Sequence, residues 1–197
     1  MTQFAQKIKI RRVVPQTKLF TPNKITLLRI FLAPALVLIF LSPTLWSAHL
    51  AALLIAIGSL SDWLDGHLAR RWSAETDLGR LLDPLADKLL LIAALVPLVA
   101  LDRVPVWMAA LLIGRDMAVT GMRAVSVKRG LVISASRMGK HKTGLQVVAL
   151  ILLILDYRWV GPSFWILGMT LLSVSLILSL LSGFDYSRQV WRQVEPR

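Results

Sequence analysis

Six apolar runs joined by short, basic connections fill most of this 197-residue chain and leave it few ways to fold. They read Ile25 to Leu41, Trp46 to about Arg70, Gly79 to Leu101, Val104 to about Val127, Met138 to Leu155 and Pro162 to Phe184. Each is close to the ~20 residues that carry a helix across a hydrocarbon core about 30 Å thick. Unpaired backbone groups are not tolerated in lipid, so spans must be helices or closed barrels, and no alternating barrel pattern is present. Composition agrees: 56% of residues are hydrophobic, mean hydropathy is +0.65, and 17% are charged, against roughly 25% in soluble domains. The expected fold class is an all-α integral membrane protein of six transmembrane helices. Residues 1–20 would form a short N-terminal cytoplasmic or interfacial segment, 21–187 the transmembrane domain and 188–197 a cytoplasmic tail. No cysteine is present, so a disulfide framework, a thiolate metal site and a thiol nucleophile are all excluded.

The net charge of +12 is distributed by topology. Lys7, Lys9, Arg11, Arg12, Lys18 and Lys24 precede the first run. Arg70, Arg71 and Arg80 flank the second connection, Lys128, Arg129, Arg137, Lys140 and Lys142 the fourth, and Arg188, Arg192 and Arg197 end the chain. The opposite connections hold only Arg103 and Arg158. Short cytoplasmic loops carry the excess of Lys and Arg, so both termini are expected in the cytoplasm. Scattered over loops between apolar runs, these bases form no stripe for nucleic acid. Within Phe4 to Phe20, bases mixed with Ile8, Ile10, Val13, Val14 and Leu19 suit a segment lying on anionic headgroups, although Pro15 interrupts it. The further spans and the lack of a small-residue cleavage site argue against reading the start as a secretory leader.

Against this apolar background stands a run of acids: Asp62-x-x-Asp65-Gly66-x-x-Ala69-Arg70, eight residues, then Gly79-x-x-x-Asp83-x-x-x-Asp87. Carboxylates in a bilayer cost several kcal/mol by some scales and more by others, so a cation, a watery cavity or a function must hold them. Asp62 lies eight residues before Arg70 and Asp87 eight after Gly79, which puts both about 12 Å from the shared turn. Each aspartate pair, at i,i+3 or i,i+4, shares a helical face, and the two faces can converge. Four hard oxygen donors in one small volume call for divalent cations, Mg²⁺ or Mn²⁺ before zinc, and for two of them. This hairpin would open to the cytoplasm.

Other residues admit two readings. Gly66, Ala69 and Gly79 leave room for a flat group or a backbone, or simply pack helices closely. Arg70 could bind a diphosphate or snorkel to the interface. Thr21-Pro22-Asn23 has the form of a helix start. Beyond it Asn23, Thr26 and Arg29 recur every third residue, either lining a polar cavity or serving as a cap and a snorkelling base. In the fourth run Arg115 and Arg123 sit about 80° apart around a helix, so both can border one cavity, while Lys140, His141 and Lys142 open the fifth. Several cations beside a dimetal site suggest an anionic co-substrate. The plainer alternatives are an Arg115–Asp116 salt bridge and, for the lysines, positive-inside topology.

Eight fixed positions at ~5% each would match by chance on the order of once in 10¹⁰ starts. The motif resembles, at every position, the signature of the CDP-alcohol phosphatidyltransferases, and the resemblance extends over most of the chain. It implies six transmembrane helices, a homodimer and a cytoplasm-facing dimetal site. By the same resemblance Asp62, Asp65, Asp83 and Asp87 would hold two Mg²⁺ on the diphosphate of a CDP-linked lipid. Asp62, Gly66, Ala69, Arg70 and Gly79 would form the CDP-lipid pocket, and Asp87 is the candidate general base.

Pro22-Asn23-Lys24-Ile25-Thr26-Leu27-Leu28-Arg29, Leu82-Asp83-Pro84-Leu85-Ala86-Asp87-Lys88 and Gly139-Lys140-His141-Lys142-Thr143 are similar to the family's bacterial branch that uses sn-glycerol 3-phosphate. That narrower resemblance implies CDP-diacylglycerol and sn-glycerol 3-phosphate as substrates and phosphatidylglycerol phosphate and CMP as products, at the bacterial inner membrane. Arg115, Arg123, Lys140 and Lys142 would bind the acceptor phosphate. Alternatives are another acceptor on the same fold, inositol phosphate or phosphatidylglycerol, and a divalent-cation transporter. A transporter gives no reason for the spacing of Gly66, Ala69, Arg70 and Gly79.

Overall fold

A computed structural model describes residues 22–42, 44–72, 77–128, 137–156 and 162–194. Those residues form six helices and no strand: α1 (Pro22–Phe40), α2 (Leu45–Trp72), α3 (Asp77–Ala100), α4 (Val106–Lys128), α5 (Arg137–Leu155) and α6 (Pro162–Val194). The N-terminal segment 1–20, Thr21 and the last three residues lie outside this description.

Local chemistry sets the helix ends. Pro22 opens α1 with its φ already helical and no N–H to leave unpaired. Thr44 caps α2 reciprocally: Ser47 N donates to Thr44 Oγ1 at 3.1 Å, and Thr44 N to Ser47 Oγ at 2.7 Å. After α3 the chain turns through Asp102 at φ 55°, while Asp102 N and Arg103 N donate back to Val99 O and Leu98 O. This is a Schellman closure with aspartate where glycine is usual.

α6 runs past the expected end at Phe184 to Val194. Its added residues are polar but helix-compatible, and Arg192 in the last turn complements the helix dipole. At 33 residues α6 is about 50 Å long. Its segment Ser163–Gln193 is long and apolar enough to cross a membrane. Among the described residues the other apolar stretches, Leu27–Phe40, Leu45–Ser61, Lys88–Ala100 and Lys142–Leu155, are shorter.

α5 packs along α6, α1 lies against both α2 and α3, α4 lies on α6, and α2 reaches α5. The shared core is rich in alanine and leucine: Ala48, Ala51, Ala52 and Ile55 of α2 meet Leu36 of α1, Ala94, Leu95 and Leu98 of α3, and Leu150 and Leu153 of α5. Small residues let helices approach where lipid supplies no hydrophobic drive. The exterior is greasy, with Phe31, Leu38, Trp107, Ile166 and Phe184 exposed, whereas Arg29, Asp116, Lys142 and Gln146 are buried. So many large apolar side chains outside, over an apolar core that also holds a few buried charges, depart from the soluble arrangement.

Candidate active site

Gly58 of α2 sits directly on Leu90 of α3, so closely that a Cβ there would collide with the leucine side chain. That contact fixes the antiparallel register of the two helices carrying the acidic motif. Counting from it toward the turn, Asp62 is about 6 Å and Asp87 about 4.5 Å along, while Asp65 and Asp83 are both about 10.5 Å along. In sequence Asp62 and Asp65 follow Gly58 at i+4 and i+7, and Asp87 and Asp83 precede Leu90 by three and seven residues, helical spacings counted from that contact. Ala86, between the two α3 acids, is fully buried.

The side chains of Asp62, Asp65, Gly66, Ala69, Arg70, Gly79, Asp83 and Asp87 lie outside the described residues, as do those of Asn23, Thr26, Lys140 and His141. Among the described residues no three His, Cys, Asp or Glu converge. As a donor set, four carboxylates suit a hard divalent cation.

Beside this hairpin the structure builds a buried polar cluster around Asp116 of α4, which is only 5% exposed. Arg115 Nη1 donates to its Oδ1 at 2.7 Å, Lys142 Nζ of α5 to the same oxygen at 2.5 Å, and Lys88 Nζ of α3 to Oδ2 at 3.2 Å. α6 closes the cluster: Arg115 Nη2 donates to Ser182 Oγ at 2.6 Å, Lys142 Nζ to Ser179 Oγ at 3.2 Å, and Ser175 Oγ to Lys142 O at 3.0 Å. Three cations against one carboxylate leave two positive charges uncompensated among the described residues. Such an excess is costly away from water, and an incoming anion relieves it.

Of the four basic residues expected to bind phosphate, the structure brings Arg115 and Lys142 together. Arg123 lies two turns on, about 12 Å along α4, exposed over the Tyr186 ring at 6.0 Å. The Arg115–Asp116 salt bridge, raised above as the plainer alternative, is present, but as one arm of the larger cluster. Arg29 is buried.

The sequence reading did not single out Asp116 as a hub, Lys88 as its partner, or the α6 serines. Their signal was there: Ser175, Ser179 and Ser182 recur at i, i+4 and i+7 on an apolar helix, and Lys142 and Gln146 at i, i+4 on α5. A polar stripe inside a greasy helix marks the side that faces other polar groups.

The family model for CDP-alcohol phosphatidyltransferase matches residues 19–181. Among similar proteins, the CDP-diacylglycerol–glycerol-3-phosphate 3-phosphatidyltransferase of Bacillus subtilis (strain 168) is 40% identical over 189 residues, covering 88% of this chain and 96% of its own. Proteins of the same name from Pseudomonas fluorescens and Escherichia coli (strain K12) are each 37% identical, over 86% and 84% of this chain and 89% and 91% of theirs. From the eight-position motif and these matches together, this chain belongs to the CDP-alcohol phosphatidyltransferase family.

Proposed function

We propose that this chain transfers the phosphatidyl group of CDP-diacylglycerol to sn-glycerol 3-phosphate, giving phosphatidylglycerol phosphate and CMP. The observation that carries the reading is the gathering of Lys88, Arg115 and Lys142 around Asp116, on α3, which also bears Asp83 and Asp87, and on α4 and α5 beside it. An acceptor phosphate brings ~1.5 to 2 negative charges at neutral pH, which three cations on one carboxylate can receive. The names carried by the similar proteins support the same donor and acceptor.

In this reading Arg115 and Lys142 grip the acceptor phosphate, with Arg123 and Lys140 nearer the mouth. The acceptor's primary hydroxyl then faces Asp87, which takes its proton as the oxygen attacks the lipid-linked phosphorus. One P–O bond forms, the diphosphate P–O bond breaks, and CMP departs. Gly66, Ala69, Arg70 and Gly79 shape the cytidine and phosphate pocket. Two Mg²⁺ or Mn²⁺ held by Asp62, Asp65, Asp83 and Asp87 would neutralise charge on the diphosphate and the leaving CMP. Holding the reactants in line and countering charge does most of the work in phosphoryl transfer, so no covalent nucleophile is required.

The same proposal places six spans in a bacterial inner membrane, with both termini and the site cytoplasmic, in a homodimer. The greasy exterior and the one-sided distribution of bases support it. The test is CMP release from CDP-diacylglycerol and Mg²⁺ by the purified protein, with sn-glycerol 3-phosphate, inositol phosphate, phosphatidylglycerol or no acceptor. Release with glycerol 3-phosphate alone, abolished by EDTA, is the expected result. Release with another acceptor reassigns the acceptor, and metal movement without nucleotide consumption replaces the reading with transport.

A further inference from the structure

We propose that Asp116 is a positioning residue, which, with Ser179, Ser182 and Gly183 of α6, sets the Arg115 and Lys142 head groups in place for an anionic acceptor before it arrives; this rests on the glycerol-phosphate reading above. Arg115 and Lys142 reach the same oxygen, Asp116 Oδ1, from different helices, so the carboxylate fixes the spacing of the two cations. Without that anion, two like charges would repel and swing apart. Each cation has a second anchor on α6, one turn apart: Ser182 for Arg115 and Ser179 for Lys142. Lys88 takes the other carboxylate oxygen, one residue after Asp87, which ties the frame to α3.

Gly183 completes the fit. A Cβ at this position would lie 2.8 Å from Arg115 Nε and 3.4 Å from its Cγ, so the guanidinium reaches both Asp116 and Ser182 only because residue 183 has no side chain. Arg115 Nε is buried against Gly183 and makes no hydrogen bond of its own, and the guanidinium keeps N–H donors beyond the two that hold Asp116 and Ser182. A phosphate held by pre-set donors binds without first ordering them, so loss of the frame should appear as loss of acceptor affinity and leave CDP-lipid affinity alone.

The test compares wild type with Gly183→Ala, Ser182→Ala, Asp116→Asn and Asp116→Glu. Two measurements are made: KM for each substrate in the CMP-release assay, and sn-glycerol 3-phosphate binding by titration calorimetry in detergent. Gly183→Ala changes no charge and gains helix propensity against the displacement of Arg115, so in protein shown to be folded it should increase the acceptor KM and Kd about tenfold, with the CDP-diacylglycerol KM within about twofold. Asp116→Asn should do the same or more, and Asp116→Glu should recover part of the loss. Should Asp116→Asn fail to fold, Gly183→Ala and Ser182→Ala decide. Unchanged acceptor KM and Kd in folded Gly183→Ala and Ser182→Ala would overturn the proposal, as would equal losses for both substrates. If wild type releases CMP only with inositol phosphate, the glycerol-phosphate reading fails, and the same variants measured with that acceptor still judge the frame.

Discussion

Lys88 Nζ of α3 and Asp116 Oδ2 of α4 lie 3.2 Å apart, and through that contact the helix bearing two of the motif's aspartates is joined to the helix bearing Arg115. The two halves of the proposed chemistry therefore share a fixed scaffold: acids on the α2–α3 hairpin, cations on α4 and α5, and α6 behind the cations. Rigid helices hold reacting groups more accurately than loops, and small displacements are expensive in phosphoryl transfer.

Removal of divalent metal should abolish turnover. With EDTA-treated protein we expect CMP release to return with Mg²⁺ or Mn²⁺ and far less with Zn²⁺, because carboxylate oxygens are hard donors. A stabilising thermal shift with Mn²⁺ alone, lost in Asp62→Asn, would report the ion without relying on activity. Full activity in EDTA would remove the metal assignment.

The two aspartates of α3 should separate under mutation. Asp87→Asn removes the proposed base, so kcat should fall by roughly 10²–10⁴-fold while folding and CDP-lipid binding are largely kept. Asp83→Asn should also raise the Mg²⁺ concentration needed for half-maximal rate. Undiminished kcat in Asp87→Asn would end its assignment as base.

Arg115 and Arg123 should also differ, because one is held inside the cluster and the other is exposed over Tyr186. Arg115→Ala loses charged hydrogen bonds each worth about 1.5–3 kcal/mol, which predicts roughly a tenfold to hundredfold rise in acceptor KM. Arg123→Ala loses an exposed cation–π contact of about 0.5–1 kcal/mol and should change that KM only a fewfold. Steady-state kinetics with both substrates varied gives the comparison, and equal effects would move the phosphate site toward the mouth.

The six helices could be read from the chain because each is a long apolar run between polar connections, and their observed starts fall within a few residues of those expected. The end of α6 could not, since the apolar signature fades at Phe184 while the backbone continues to Val194. The acidic motif was legible because Asp62, Asp65, Asp83 and Asp87 follow helical spacing on either side of one turn. Their mutual register depended on the Gly58–Leu90 contact, which spacing alone does not specify. The Asp116 hub joins positions 26 and 28 residues apart, on three helices. Periodicity marks one face of one helix, and the choice of partner helix comes from packing.

A second glycine of α6 gives a stability prediction that complements the proposal for Gly183. Gly168 faces α5, and a Cβ there would lie 2.8 Å from Leu153 Cγ and 3.3 Å from the carbonyl oxygen of Ala149. Gly168 and Leu153 keep the same antiparallel register as Ser179 and Lys142, eleven residues or about 16 Å further along the helices. Gly168→Ala therefore presses a core leucine and a backbone carbonyl apart far from the cation cluster. Overpacking of this kind costs about 1–3 kcal/mol, so the thermal midpoint in detergent should fall while both substrate KM values of the folded enzyme stay within about twofold. Gly183→Ala should differ by raising the acceptor KM of the folded enzyme. If both substitutions lowered the midpoint and neither moved the acceptor KM, close packing alone would account for the two glycines.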